Sequence, residues 1–196
     1  MISKSTETNI SLLSKNFRNI ALLKLWVDPT IPGLHDIYQH HVEQHNAKIL
    51  DTSHPDSGFD VFVPSNITLS PGMHPSQMIN LAIKAEMFLL FSDNQEMYVE
   101  PTAFHLLPRS SLSKVPILQS NHVGLIDMGY RGDIMVPVRN LVNEIQSIES
   151  FTRLFQLEHP SACPILVECI DEVEDFTMTK RGAGGFGSTG VQGLEN

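Results

Sequence analysis

Apolar positions along this chain fall mostly in short runs bounded by turn residues, and Ile20 to Val27, Phe59 to Val63, Ile134 to Val138 and Ile165 to Ile170 each read as a β-strand. In Ile165-Leu-Val-Glu-Cys-Ile170 the alternation is imperfect, which fits a strand whose polar face is only partly wet. Pro29, Pro32, Pro55, Pro64, Pro71, Pro75, Pro101, Pro108, Pro116 and Pro137 punctuate the rest and exclude long helices through most of the chain. Many short strands predict an all-β barrel or sandwich. Gly33 to Leu50 is different, because Leu34, Ile37, Tyr38 and Val42 recur at helical spacing and predict a short amphipathic helix. Leu81 to Phe91 fits a strand or a helix, and no internal repeat is present.

The predicted helix carries four histidines, with His41 and His45 at i and i+4. Its glutamate falls at Glu43, one position later than the zinc-protease pattern His-Glu-x-x-His requires, so the sequence reads as a solvated helical face.

Composition narrows the class. A chain of 196 residues with 41% hydrophobic and 18% charged residues suits one globular domain with its own core. Its net charge of −9 argues against general nucleic-acid binding, where a basic face is expected. There is no apolar run long enough to span a membrane. The first twenty residues mix Lys, Glu, Ser and Asn without the apolar region of a secretory signal, so an intracellular protein, cytoplasmic or nuclear, is expected. Residues 1–19 read as a flexible N-terminal segment, 20–180 as the β-domain and 181–196 as a mobile Gly-rich tail. Cys163 and Cys169 are too far apart in an extended run to bond to each other and are expected to be reduced.

Two stretches carry the chemistry. Residues 124–132, Gly-Leu-Ile-Asp-Met-Gly-Tyr-Arg-Gly, set Asp127 inside an otherwise apolar strand, beside the aromatic Tyr130. An acid in such a setting needs a polar partner; the plain alternative is a strand-end Asp capping the Met128-Gly129 turn. Residues 181–190, Arg-Gly-Ala-Gly-Gly-Phe-Gly-Ser-Thr-Gly, offer backbone N–H groups, hydroxyls, one cation and one aromatic face that could close over a nucleotide. They lack the Gly-Lys-Ser/Thr of a P-loop, and a plain disordered tail is the competing reading.

With three further stretches in fixed order, Ser57 to Pro64, Pro108 to Ser113 and Arg153 to Leu157, these segments resemble the five motifs of the trimeric dUTPase family over residues 55–190. The resemblance implies a jelly-roll-like distorted barrel, a homotrimer with shared active sites, and magnesium-dependent hydrolysis of dUTP to dUMP and pyrophosphate, which keeps uracil out of DNA. It assigns Asp127 as the base that activates water, Tyr130 as the residue that packs on deoxyribose and excludes a 2′-hydroxyl, and Asn121 as the amide that reads the uracil edge. Arg109, Ser110, Ser111 and Gln156 would contact phosphates, and Asp60 would hold waters of the magnesium ion. From the tail, Arg181 would reach the terminal phosphate, Phe186 would stack on uracil, and Ser188 and Thr189 would bind phosphate oxygens; Gly124 and Gly187 complete the substrate-contacting set. Ser111 stands where most of the family has Gly. The link from Pro71 to Pro108 is longer than the family's usual one, and Gly33 to Leu50 is an insertion. A dCTP deaminase of the same fold would place a catalytic glutamate where this chain has Pro137. A non-catalytic relative that binds a nucleotide or a protein is the other alternative.

Overall fold

A computed structural model describes residues 2–72, 75–93 and 96–184. The elements run α1 (Lys4–Leu13), β1 (Asn19–Val27), α2 (Leu34–Leu50), β2 (Gly58–Val61), β3 (Ile67–Leu69), β4 (Gln77–Asn80), β5 (Ile83–Asp93), β6 (Glu96–Thr102), β7 (Phe104–Pro108), β8 (Ile117–Gln119), β9 (Gly124–Ile126), β10 (Met135–Asn140), β11 (Gln146–Ile148), β12 (Phe155–Glu158) and β13 (Ile165–Ile170), with 3₁₀ turns at Ser110–Lys114 and Val173–Asp175. The all-β class holds. The strands form four open sheets, ordered β13-β1-β5-β6, β4-β10-β8, β11-β3 and β2-β12-β7-β9, so the expected barrel does not close among the described residues. No helix among them is long and apolar enough to cross a membrane.

The near-continuous apolar run of β1 follows from burial on both faces. Ala21, Leu23, Leu25 and Val27 point into the main core, whereas Ile20 and Leu22 join a second cluster with Ile10, Leu13, Ile49, Leu90 and Leu166. That second cluster explains α1. In residues 1–19, expected as a flexible segment, Ser3 caps a helix by accepting from the Thr6 N–H, and Ile10 and Leu13 are buried against the sheet. The long link between Pro71 and Pro108 supplies β4, β5 and β6, and Leu81 to Phe91 resolves as strand because β5 pairs with β1 along its length.

The predicted helix forms as α2, and its polar residues do structural work. Asn46 donates Nδ2–H to the Val167 carbonyl at 2.7 Å and accepts from the Val167 N–H at 3.0 Å, which satisfies the outer edge of β13 as a neighbouring strand would. His45 adds an Nε2 bond to the Ile165 carbonyl at 2.8 Å. The histidine face is therefore only partly solvated: His41 lies 4.8 Å from the Phe59 ring and 5.2 Å from Phe62, and His45 meets Phe59 edge-on at 5.1 Å. Burial pushes His41 down to about 4, with Asp60 opposing, and lowers His45 as well, so both rings are neutral at neutral pH.

β5 is also where the 127–133 turn is anchored. Glu86, 2% exposed, faces its cross-strand partner Lys24 at 3.6 Å and accepts from Arg131 Nη2 at 2.6 Å. It also accepts from the Thr177 N–H at 3.2 Å, while Arg131 donates to the Met128, Tyr130 and Thr177 carbonyls. Two residues before Glu86 on β5, Lys84 pairs with Asp133, which also accepts from Asn80 at the end of β4.

Removing one partner of a buried ion pair strands the other, so Glu86→Leu should lower stability by about 3–5 kcal/mol. Adding Arg131→Met to it should return part of that loss; denaturant midpoints of the two single variants and the double variant provide the cycle, and strict additivity would show that the pair is not coupled.

Burial raises the Asp133 carboxyl, but the Lys84 and Asn80 hydrogen bonds and the Lys84 charge outweigh it and leave the group below its ordinary range. Its stabilising contribution is therefore present above the unfolded carboxylate pKa and lost as pH falls through the lower folded value. Asp133→Asn should flatten the acid limb of a melting-temperature profile below about pH 4. An unchanged acid limb would assign that loss to other carboxylates.

Candidate active site

A single sheet positions four of the five stretches. β12 lies between β2 and β7, and β9 flanks β7, so Asp60, Gln156 and the Pro108 end of β7 stand side by side while Asp127 follows β9 at the far edge. Gly58 is required locally, because a Cβ there would come within 2.3 Å of Gln156 Oε1. With glycine, the Gln156 side chain lies across β2 opposite Gly58 and Asp60.

The first cavity, about 740 Å³, is lined by Asp60, Arg109, Ser110, Arg153 and Gln156, together with residues of α2. Asp60 holds both arginines: Arg109 Nε lies 2.6 Å from Oδ1 and Arg153 Nη1 lies 3.2 Å from Oδ2. Arg109 also donates Nη1–H to the Arg153 carbonyl at 2.7 Å. Two guanidinium groups thus share one carboxylate and keep further N–H donors, an arrangement suited to a polyanion. Ser111 lies outside the cavity lining, and its hydroxyl is 3.4 Å from the Arg153 carbonyl. It is absent from the positive-φ residues, so a serine where the resembling family has glycine causes no backbone strain.

The second cavity, about 160 Å³, brings together Asn121, Gly124, Asp127, Tyr130 and Arg181. Tyr130 is 9% exposed, and its hydroxyl donates to the Asp133 carbonyl at 2.9 Å. The ring lies over Gly132, where a Cβ would meet the tyrosine oxygen at 2.4 Å. Burial raises the phenol, with the Asp133 charge adding to it, so Tyr130 stays neutral. Asp127 lies just past β9, not inside the strand as expected, and its carbonyl accepts the Tyr130 N–H at 2.9 Å, so the turn expected at Met128-Gly129 is present. The polar partner an acid there requires is Arg181, whose guanidinium pairs with the Asp127 carboxylate in the same chain. Gly182 bridges Tyr130 beside it, and the Arg131 N–H donates to the Gly182 carbonyl at 2.8 Å. Phe186, Gly187, Ser188 and Thr189 lie outside the described residues.

Sequence reasoning missed two supports. Gln119, 1% exposed, donates to the Leu106 carbonyl at 2.9 Å and to Asn121 Oδ1 at 3.1 Å, which leaves the Asn121 N–H₂ end for a ligand. Its place before a turn gave no signal. Glu86 was equally hidden, because its partner Arg131 is distant in sequence and acts from the opposite side of the turn.

Among the described residues no group of three or more His, Cys, Asp or Glu side chains is disposed to hold a metal ion. Asp60, with a side chain 18% exposed, keeps a free lone pair on each oxygen beside its arginine bonds. That donor set fits a hydrated magnesium ion, which retains several waters and takes its direct ligands from substrate phosphates.

The sequence profile described as dUTPase matches residues 45–190. The deoxyuridine 5'-triphosphate nucleotidohydrolase of Acinetobacter baumannii (strain ATCC 17978) is 36% identical over 74% of this chain and 97% of its own length. The protein of that name from Clostridium novyi (strain NT) is 33% identical over 76% of this chain and 97% of its own. Among solved structures, the dUTPase of Streptococcus mutans overlays with a TM-score of 0.41 at 23% identity, covering 55% of this chain and 79% of that one. On the profile and the two relatives, the chain belongs to the dUTPase family.

Proposed function

We propose that this chain is a dUTP diphosphatase that hydrolyses dUTP to dUMP and pyrophosphate at sites shared between the chains of a homotrimer. The observation that carries the reading is the second cavity, where an acid, a buried tyrosine ring and an oriented amide converge. Asn121 presents its N–H₂ end to a base edge, and a base lacking the matching acceptor leaves that donor unpaired. Tyr130, fixed by its hydroxyl bond and by Gly132, is the rigid face on which deoxyribose packs. Asp127 is the group that takes a proton from the attacking water. Its pairing with Arg181 also supports this role, because the phosphate chain of a substrate offers the guanidinium competing oxygens and thereby frees the carboxylate.

The first cavity supplies the phosphate side. Arg109 and Arg153 neutralise charge, Gln156 and Ser110 donate to oxygens, and Asp60 keeps the two guanidinium groups oriented. Magnesium bound to the phosphates would add charge neutralisation and alignment for the displacement, with Asp60 accepting from its waters.

The two cavities share no lining residue within one chain, which supports a site completed by a neighbouring copy. Around the second cavity Val123, Leu125 and Met128 are 49%, 61% and 56% exposed, an apolar rim suited to a partner subunit. The deaminase reading is disfavoured because Pro137, within β10, cannot relay a proton.

Pyrophosphate release should be seen with dUTP and not with the other deoxy- or ribonucleoside triphosphates, and it should need magnesium. Release from dCTP or UTP at a comparable rate would sink the assignment. Asp127→Asn should lower turnover by roughly 10² to 10⁴-fold while dUTP binding survives. Near-parental hydrolysis by that variant would leave Asp127 only a structural role.

Sharing between chains is tested by complementation. Asp127→Asn with an intact tail and a chain ending at Lys180 should each be nearly inactive alone. Refolded together in equal amounts, they should recover activity in about one quarter of sites if base and tail come from different chains. A folded, demonstrably heteromeric and still inactive mixture would place Arg181 with Asp127 of its own chain during catalysis.

A further inference from the structure

α2 precedes the five motifs of the dUTPase resemblance, with only its end from residue 45 inside the family match, yet it lines the first cavity with Gln44, His45 and Lys48, together with Arg109 and Arg153. The helix is a rigid base for those side chains, because Asn46 and His45 bond it to the β13 edge and Leu34, Tyr38 and Val42 are buried beneath it. The three cations of the cavity are not equivalent. Arg109 and Arg153 are both tied to Asp60, whose side chain is 18% exposed, and Arg109 is further directed by its bond to the Arg153 carbonyl. Lys48 is tied to Asp56 at 2.5 Å, and those side chains are 64% and 63% exposed. An ion pair so exposed is weak, and a lysine stem is flexible, so the ammonium can leave Asp56 for a more highly charged anion. A phosphate chain entering this cavity is such an anion.

We propose that α2 forms a further wall of the phosphate subsite, in which Lys48 binds the pyrophosphate portion of the substrate and Asp56 competes with that portion for the same ammonium. The identity of the substrate rests on the dUTPase reading; the subsite itself does not require it.

The two partners of the pair should shift binding in opposite directions. With the full chain and inorganic pyrophosphate plus magnesium as the probe in calorimetry, Lys48→Ala should weaken binding roughly three- to tenfold, the scale of one partly exposed charge-assisted contact. Asp56→Ala should tighten it about two- to threefold by releasing the ammonium. In turnover, the Lys48→Ala effect should fall on KM for dUTP rather than on kcat. If the pair only anchors the helix, both substitutions weaken binding together, and that result overturns the inference. Pyrophosphate binding indifferent to Lys48, or no pyrophosphate binding by the parent, overturns it too. Hydrolysis of dUTP alongside Lys48-independent binding would leave the dUTPase reading intact and the α2 subsite refuted. Lys48-dependent pyrophosphate binding by a protein that does not cleave dUTP would do the reverse.

Discussion

A single buried carboxylate ties three distant parts of this chain to one point. Glu86 sits on β5 at 2% exposure, with Lys24 of β1 on one oxygen and Arg131 and Thr177 on the other. Such a group is tolerated only because its lone pairs are taken up by cations and N–H donors; unpaired, the same charge would cost several kcal/mol. Arg131 then spends its remaining N–H groups on the Met128, Tyr130 and Thr177 carbonyls, so the turn carrying Asp127 and the arm leading to Arg181 share one hub. The position of the proposed base is thus set from behind, by a strand from the long link between β3 and β7.

This anchoring explains how a short, glycine-bearing turn can hold a site. The turn at Met128-Gly129 has little side-chain mass of its own, and Tyr130 reaches its place only because Gly132 clears room for the ring. Thr179 adds a bond to the Gly129 carbonyl, and the Arg131 N–H bond to Gly182 continues the seam. Arg181 is thereby held close to Asp127 of its own chain.

Residues 124–132 were legible because their chemistry is local: an acid, an aromatic and three glycines at set spacing. The strands β1, β10 and β13 were legible from apolar runs, and α2 from its helical period. α1 was not, since its apolar face is narrow, with Ile10 and Leu13 buried only because the second face of the β1 sheet needs a cover. β5 was ambiguous between helix and strand for the same reason, as burial on both faces removes the alternation that marks a strand. The histidine face of α2 misled because polarity along a helix says nothing of what lies opposite, here Phe59 and Phe62. Glu86 and Gln119 could not be read at all, because each acts through a partner that only tertiary structure brings near.

The same sheet that gathers the motifs also keeps the two half-sites of one chain apart. With the order β2-β12-β7-β9, Asp60 lies in one edge strand and Asp127 just past the other, with β12 and β7 between them. Neighbouring strands are separated by about 4.8 Å, so three strand spacings put the two edges on the order of 14 Å apart before any side chain is considered. The α-phosphate of a nucleotide lies much closer to its sugar than that. Arg109 follows β7, the strand next to β9, but the Phe104–Ile126 pairing puts Asp127 at the other end of β7, so about six residues at roughly 3.3 Å each hold the base and this arginine on the order of 20 Å apart within one chain. The exposed apolar rim at Val123, Leu125 and Met128 flanks β9 at the edge of this sheet, so a copy docked there, as the proposed trimer requires, would meet the proposed base and not the arginine pair of the same chain.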